Sequence, residues 1–322
     1  MSAHPQFDLL CVGLTTLDII GWPITHIPSE DVTTLIRGVE IVPAGTAGGA
    51  AMVAANLGLK TGLISAIGRD NVGDIVATQL ARAGVDVRWV DRSDSMGTST
   101  TILTIGEQGQ RPAFHALGAA LLMTLSETVI EAARRARFVH WGGVGAPTLD
   151  GGPGAEFLAA ARKAGAVITC DLIAPQPTAR QEIARLLPYV DYFLPSAAEA
   201  RFLTGKDDLA DAAGAFLDQG AGACVIKDGP RGVLLARPGE AIIAIPAFEV
   251  EVVDTTSCGD SLCAGFITGL SKGWPIEECC RLGVAVAGLV AQAPGTLGKL
   301  NGLESALELL KAAPIKKLTD GN

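Results

Sequence analysis

Between Asp254 and Phe266 the chain reads DTTSCGDSLCAGF. Small residues, Thr256 to Gly259, lead into an apolar stretch with helical character, and Asp260 stands at the junction. The first N–H groups of a helix have no partner inside it, and the helix dipole adds positive potential there. Small residues let a ligand approach such a backbone closely. The start of such a helix can therefore form an anion hole. A carboxylate beside that hole is repelled by any bound anion unless it has a task. The task that fits is general base: Asp260 takes a proton from a hydroxyl while the hole stabilises charge on a transferring phosphoryl group. A plainer reading makes Asp260 the helix N-cap, a position that Asp favours. The local residues leave both readings open. A third takes Cys258 as a nucleophile, because a helix N-terminus lowers a thiol pKa. No histidine stands near it in sequence to act as partner.

The elements that must hold this junction read as an α/β protein. FDLLCVG, GLISAIG, RFVHWGG, AVITCDL, DYFLP and GACVIKDG are short apolar runs, consistent with buried strands. TAGGAAMVAANLGLKTG is Ala-rich and closes at Gly58, and VGDIVATQLARAG is amphipathic and closes on Gly84, so both predict helices with glycine C-caps. Strands alternating with helices predict a mostly parallel sheet covered on both faces. Two β-rich islands, about 14–43 and 87–116, interrupt the alternation and predict antiparallel strands of a separate small sheet. An open parallel sheet binds ligands at the carboxyl ends of its strands, so that small sheet reads as a lid. Residues 1–322 form one domain with the lid inside it; no repeat or linker is visible, and PIKKLTDGN reads as a loose tail.

Bulk properties narrow the classes. With 48% hydrophobic residues, the 322-residue chain has material for a large core. A net charge of −9 without a basic run argues against nucleic-acid binding. Seven Cys, an odd number with no CxxC pair, fit neither a disulfide framework nor a zinc site. Cys11, Cys170 and Cys224 lie in apolar runs and read as core strand residues in a reducing compartment. No signal segment or run of membrane-helix length is visible, so a cytoplasmic, membrane-free protein is expected.

VVDTTSCGDSLCAGFITGL resembles the signature of the ribokinase-like (PfkB) carbohydrate kinases, whose usual form is D-T-x-G-A-G-D followed by a helix. The resemblance implies a three-layer ribokinase-like α/β fold with a small β lid. It also implies ATP and Mg²⁺ as cofactors, Asp260 as base and Ser257, Cys258 and Gly259 as the hole. Ser257 replaces the usual Gly and must adopt an allowed φ, while Cys258 replaces the usual Ala. Asp18 follows the first strand where the family binds sugar hydroxyls, and a carboxylate suits a vicinal diol. In PAGTAGGAA, Ala44-Gly45 falls at the family's hinge glycines and Gly49 at its substrate-binding Asn. The lost amide implies that plain ribose and fructose are poor substrates beside a modified sugar, and that Gly49→Asn should favour a plain one. AIGRDNVGD also matches the family and reads as mostly structural.

Arg111, in GQRPAFHALGAA, is a substrate contact by the same resemblance, or a solvated strand residue. LPSAAEA matches the family's N-x-x-E, with Ser196 for the Asn and Glu199 organising Mg²⁺ through water; alone, Glu199 would be an ordinary helix residue. VIKDGPRGVLL matches the nucleotide strand and turn: Gly229 and Gly232 admit the phosphates, and Lys227 either contacts one or ends the strand. Asp254 and Thr256 stand where many members bind K⁺, and Gly295 in APGTLGKL where they hold adenine and K⁺. The lid of such kinases suggests a homodimer formed through it. GxGxxG and P-loop motifs are matched poorly, which disfavours a dehydrogenase or P-loop NTPase. A nucleoside kinase of the same fold is the nearest alternative. A degenerate sugar-binding regulator is another, motivated by the altered glycines and opposed by the intact Asp260 and Glu199.

Overall fold

The first strand, β1 (Phe7–Gly13), sends Leu10 and Val12 into one core and Leu9 and Cys11 into another. A strand that is apolar on both faces needs cover on both. The chain builds that cover, as seen in a computed structural model that describes residues 6–107, 110–173 and 176–312. The remaining strands of the main sheet are β4 (Thr61–Gly68), β5 (Asp86–Ser93), β8 (Ala136–Gly142), β9 (Val167–Cys170), β10 (Tyr192–Phe193), β11 (Ala223–Lys227), β12 (Val233–Ala236) and β13 (Ile243–Ile245). Their order is β13-β12-β11-β10-β9-β8-β1-β4-β5, parallel from β11 to β5, with β12 and β13 antiparallel at one edge.

Helices α3 (Glu127–Arg134), α4 (Pro153–Lys163), α5 (Ala179–Leu186), α6 (Ala197–Thr204) and α7 (Leu209–Asp218) supply the first core. The second is filled by α1 (Gly48–Asn56), α2 (Asn71–Arg82), α8 (Cys258–Ser271), α9 (Ile276–Val290) and α10 (Gly302–Ala312). From β1 the chain moves to β4 on one side and later to β8 on the other. The crevice at the carboxyl ends of β1 and β8 is thus the switch point where such sheets bind ligands. The two ends meet tightly there: a Cβ on Gly13 would lie 2.2 Å from the carbonyl carbon of Gly142, so only glycine fits.

A second sheet, in the order β3-β2-β6-β7, joins β3 (Gly38–Ala44), β2 (Thr16–Trp22), β6 (Thr100–Thr104) and β7 (Ala113–Ala116). Two sequence expectations need correction. The stretch 87–93 is not part of this sheet, because β5 pairs with β4 as the edge of the main sheet. The small sheet is also mixed rather than antiparallel, since β2 runs parallel to β6. Cys11, Cys170 and Cys224 are buried in β1, β9 and β11, and the thiols among the described residues are free. No helix among the described residues is long and apolar enough to cross a membrane. The expected PIKKLTDGN tail lies outside the described residues.

Candidate active site

The loop before α8 ends in a kink. Ser257 is the helix N-cap and adopts φ 55° and ψ 9°, the left-handed conformation that its usual glycine would take freely. Asp260 lies in the first turn, so the reading of Asp260 as N-cap fails. The kink leaves the start of α8 open on the crevice side, with one qualification: the Cys258 N–H makes a long 3.4 Å bond to the Thr255 carbonyl. The Asp260 carboxyl is pushed up to about 8, first by burial and then by the Asp171 carboxylate; the Lys227 ammonium and the Ser257 hydroxyl oppose the rise. A carboxyl near this range suits proton transfer at neutral pH. The Cys258 thiol is pushed up to about 12, by burial first and then by Asp254, so it stays protonated and the nucleophile reading fails.

On the acceptor side, Asp18 in β2 is buried, and its Oδ1 has no protein partner among the described residues. Burial raises its carboxyl to about 6, while the Thr101 hydroxyl and the Arg111 guanidinium work against the rise. Arg111 is exposed in the connection before β7 rather than in a strand, near enough for Asp18 to feel its charge. Gly45 turns the chain from β3 into α1 at φ 92°, and a Cβ there would lie 2.7 Å from the Leu14 carbonyl oxygen. Gly49, in α1, faces the candidate base directly. A Cβ on it would stand 3.0 Å from Asp260 Oδ2. An Asn at 49 would thus require the Asp260 carboxylate to give by a few tenths of an ångström.

On the other side of Gly259 lies a cavity of about 370 Å³ between α8, α9 and the segment after β13. Its walls are largely apolar, including Phe248, Val250 and Ala287, and Gly229, Gly232 and Lys227 also line it. Gly232 has a structural duty as well: at φ 94° its Cβ would lie 2.0 Å from the Ile245 carbonyl oxygen. Lys227 does not stand free, because its Nζ is 2.5 Å from Asp171 Oδ2. Ser196 and Glu199 form a capping box at the start of α6, with the Glu199 carboxylate accepting from the Ser196 N–H at 2.6 Å. Burial first, and Asp171 next, push the Glu199 carboxyl upward.

No group of three or more His, Cys, Asp or Glu among the described residues could hold a metal ion unaided. The acidic side chains near Lys227 instead fit an ion delivered with nucleotide phosphates and reached through water. Asp254 already has both carboxylate oxygens engaged by the protein. Its Oδ1 accepts from the Thr256 N–H and hydroxyl, at 2.8 and 2.6 Å, and its Oδ2 from the Gly295 N–H at 3.2 Å. It ties the loop before α8 to the loop at Gly295, which in turn meets β3 where the Thr296 hydroxyl donates to the Pro43 carbonyl at 2.6 Å.

The family model for pfkB family carbohydrate kinases matches residues 6–301. The chain belongs to that family. It is a carbohydrate kinase, a phosphotransferase, with the ribokinase-like fold. It is 27% identical over 300 residues to a ribokinase of Haemophilus influenzae, covering 92% of this chain and 95% of that protein. It is 29% identical over 293 residues to a nucleoside kinase of Methanothermobacter thermautotrophicus, covering 90% and 91%. The structure of Arabidopsis thaliana ribokinase complexed with ribose and ATP superposes with a TM-score of 0.80 at 26% identity, covering 96% of this chain and all of that one.

Asp171 is the site residue of this kinase that sequence reasoning missed. It follows β9, is almost wholly buried, and raises the Asp260 and Glu199 carboxyls. The available signal was a carboxylate at the carboxyl end of a parallel strand, in AVITCDL. His140 in β8 lies nearby, hydrogen-bonded to Thr169 at 2.9 Å. Burial lowers it to about 4, so it is neutral.

Proposed function

We propose that this kinase transfers the γ-phosphoryl group of ATP to a hydroxyl of a sugar or sugar derivative, with Asp260 as general base. The supporting observation is the position of Asp260. It adjoins Gly259, which lines the nucleotide-sized cavity, and it lies within electrostatic reach of Asp18, whose Oδ1 awaits a donor. The acceptor hydroxyl donates toward Asp260 and is oriented by Asp18. N–H groups at the start of α8 hold the charge of the transferring group. Mg²⁺, brought by the nucleotide and reached through water by Glu199, neutralises phosphate charge when bound. Arg111 and Gly45 belong to the moving cover of the acceptor, and Ser196, Gly229, Gly232 and Gly295 border the nucleotide.

Because Gly49 offers no amide, the preferred acceptor is a substituted sugar rather than plain ribose or fructose. The second copy of a homodimer docks on the small sheet, where Ile41, Ile102 and Phe114 are exposed on the face away from buried Ile20, Val42 and Leu103, with Ile19 between them packed against the second core. The test is an ATP and Mg²⁺ assay across sugars, substituted sugars and nucleosides. A substituted sugar should give the highest kcat/KM, and Asp260→Asn should lower its kcat about 10²–10⁴-fold. Near wild-type turnover by that variant, or a nucleoside preferred over every sugar, would reject the proposal.

A further inference from the structure

Lys227 ends β11 with its ammonium group inside the protein. It and its partner Asp171 are only 11% and 2% exposed. Asp171 is fixed from several directions. Its Oδ1 accepts from the Leu172 N–H at 2.8 Å, and its Oδ2 accepts from Lys227 and from the Cys263 thiol at 3.4 Å. Removing two charges from water is costly, and apolar side chains can join strands at least as well. The pair therefore calls for a use beyond tying β9 to β11. Its placement supplies one. A Cβ on Gly259 would lie 3.4 Å from Lys227 Nζ, so the ammonium sits against the anion-hole residue and lines the cavity that reaches it.

Burial works against the Lys227 charge, but Asp171, Cys263 and Glu199 outweigh it and hold the group protonated. Around Asp260 stand Asp171, Asp18 and Lys227, together with the thiols of Cys11 and Cys263. Lys227 is the cation among them. We infer that Lys227 is a further catalytic residue, its ammonium held beside Gly259 by Asp171 so that it stabilises the transferring phosphoryl group, and that Asp171 is its positioning residue. This rests on the phosphoryl-transfer reading above. In that step the bond from the γ-phosphorus to the ADP bridging oxygen breaks as the bond to the acceptor oxygen forms. The acceptor proton passes to Asp260, and Lys227 keeps its own proton throughout.

Three variants test the inference: Lys227→Met, Asp171→Asn and the double variant. Lys227→Met should lower kcat by about 10²–10³-fold, as loss of an anion-hole donor does, with the acceptor KM little changed. Asp171→Asn should lower kcat less. The double variant leaves no buried charge of the pair unmatched, so it should fold even where a single variant does not. It should be no slower than Lys227→Met. A double variant with near wild-type kcat would make the pair a structural tie and overturn the inference, as would multiplicative losses from the two single changes.

The pH profile separates the roles further. Loss of the Lys227 cation should move the acid limb of kcat/KM to higher pH, and loss of the Asp171 anion should move it lower; shifts in one direction, or none, count against both assignments. Calorimetry with ADP and with a non-hydrolysable ATP analogue gives a readout that needs no acceptor. Lys227→Met should weaken the analogue at least tenfold more than ADP, and equal losses overturn the γ-phosphoryl contact. A wild-type protein that binds neither nucleotide instead overturns the underlying phosphoryl-transfer reading, a result distinct from any outcome among the variants.

Discussion

Asp260 carries an acid carboxyl raised to about 8, and burial is the first cause. A general base must be ionised, so kcat/KM should climb with pH and level off only above about 8. The same group has a stability consequence of opposite sign. Its unfolded carboxyl titrates near 3.9, so between about pH 4 and 8 the folded chain holds a proton that the unfolded chain has lost. This group's contribution to stability therefore falls as pH rises through that window. Asp260→Asn has no such loss, so its Tm advantage over wild type should widen from about pH 5 to 8.5; a constant gap would show that Asp260 is not held protonated. Ser257 offers a second test, because its φ of 55° is a left-handed conformation. Such a residue costs roughly 1–2 kcal/mol relative to its usual geometry, so Ser257→Gly should raise stability by about 1 kcal/mol in urea unfolding while keeping activity. An unchanged midpoint would mean that the loop is already relaxed. At this scale the sequence displayed Asp260 through its small-residue run, and an unusual φ at Ser257 could be anticipated. Asp171 stayed hidden because its ion-pair partner is 56 residues away and a lone Asp after a strand has no spacing of its own.

Elements were legible where both faces or a full helical stripe were apolar. The runs that became β1, β4, β8, β9 and β11, and the helices α1 and α2, lie where their patterns indicated. The misplacement of 87–93 has a physical reason. As an edge strand of the main sheet, β5 is only half-covered along most of its length, so it shows the mixed pattern of a protruding sheet. Nor can composition distinguish parallel from antiparallel pairing, which left the β2–β6 pairing unread. Hydrogen exchange tests the corrected boundary. Saturating acceptor should slow exchange in β2, β3, β6 and β7, while β5 should follow β4 and stay insensitive. Acceptor-dependent protection of β5 equal to that of β6 would return it to the cover.

At the scale of the whole molecule, the face row on the small sheet is a feature that a single chain leaves unexplained. Ile41, Ile102 and Phe114 are 41%, 49% and 58% exposed; Ile102 pairs directly with Phe114, and Ile19 stands between Ile102 and Ile41. Each copy carries a net charge of −9. Two copies thus repel at long range and attract at short range through apolar contact. That combination predicts the direction of a salt effect. Screening shortens the Debye length from about 10 Å at 0.1 M to about 3 Å at 1 M, so salt should weaken the repulsion and leave the apolar contact intact. Association should then strengthen with added sodium chloride, the reverse of an interface built on salt bridges. Sedimentation of the wild-type chain at micromolar concentration should show a dimer that tightens with salt, and Ile102→Glu or Phe114→Glu should yield a folded monomer. A monomer at every salt concentration, or a dimer indifferent to both substitutions, would remove the small sheet as the docking face.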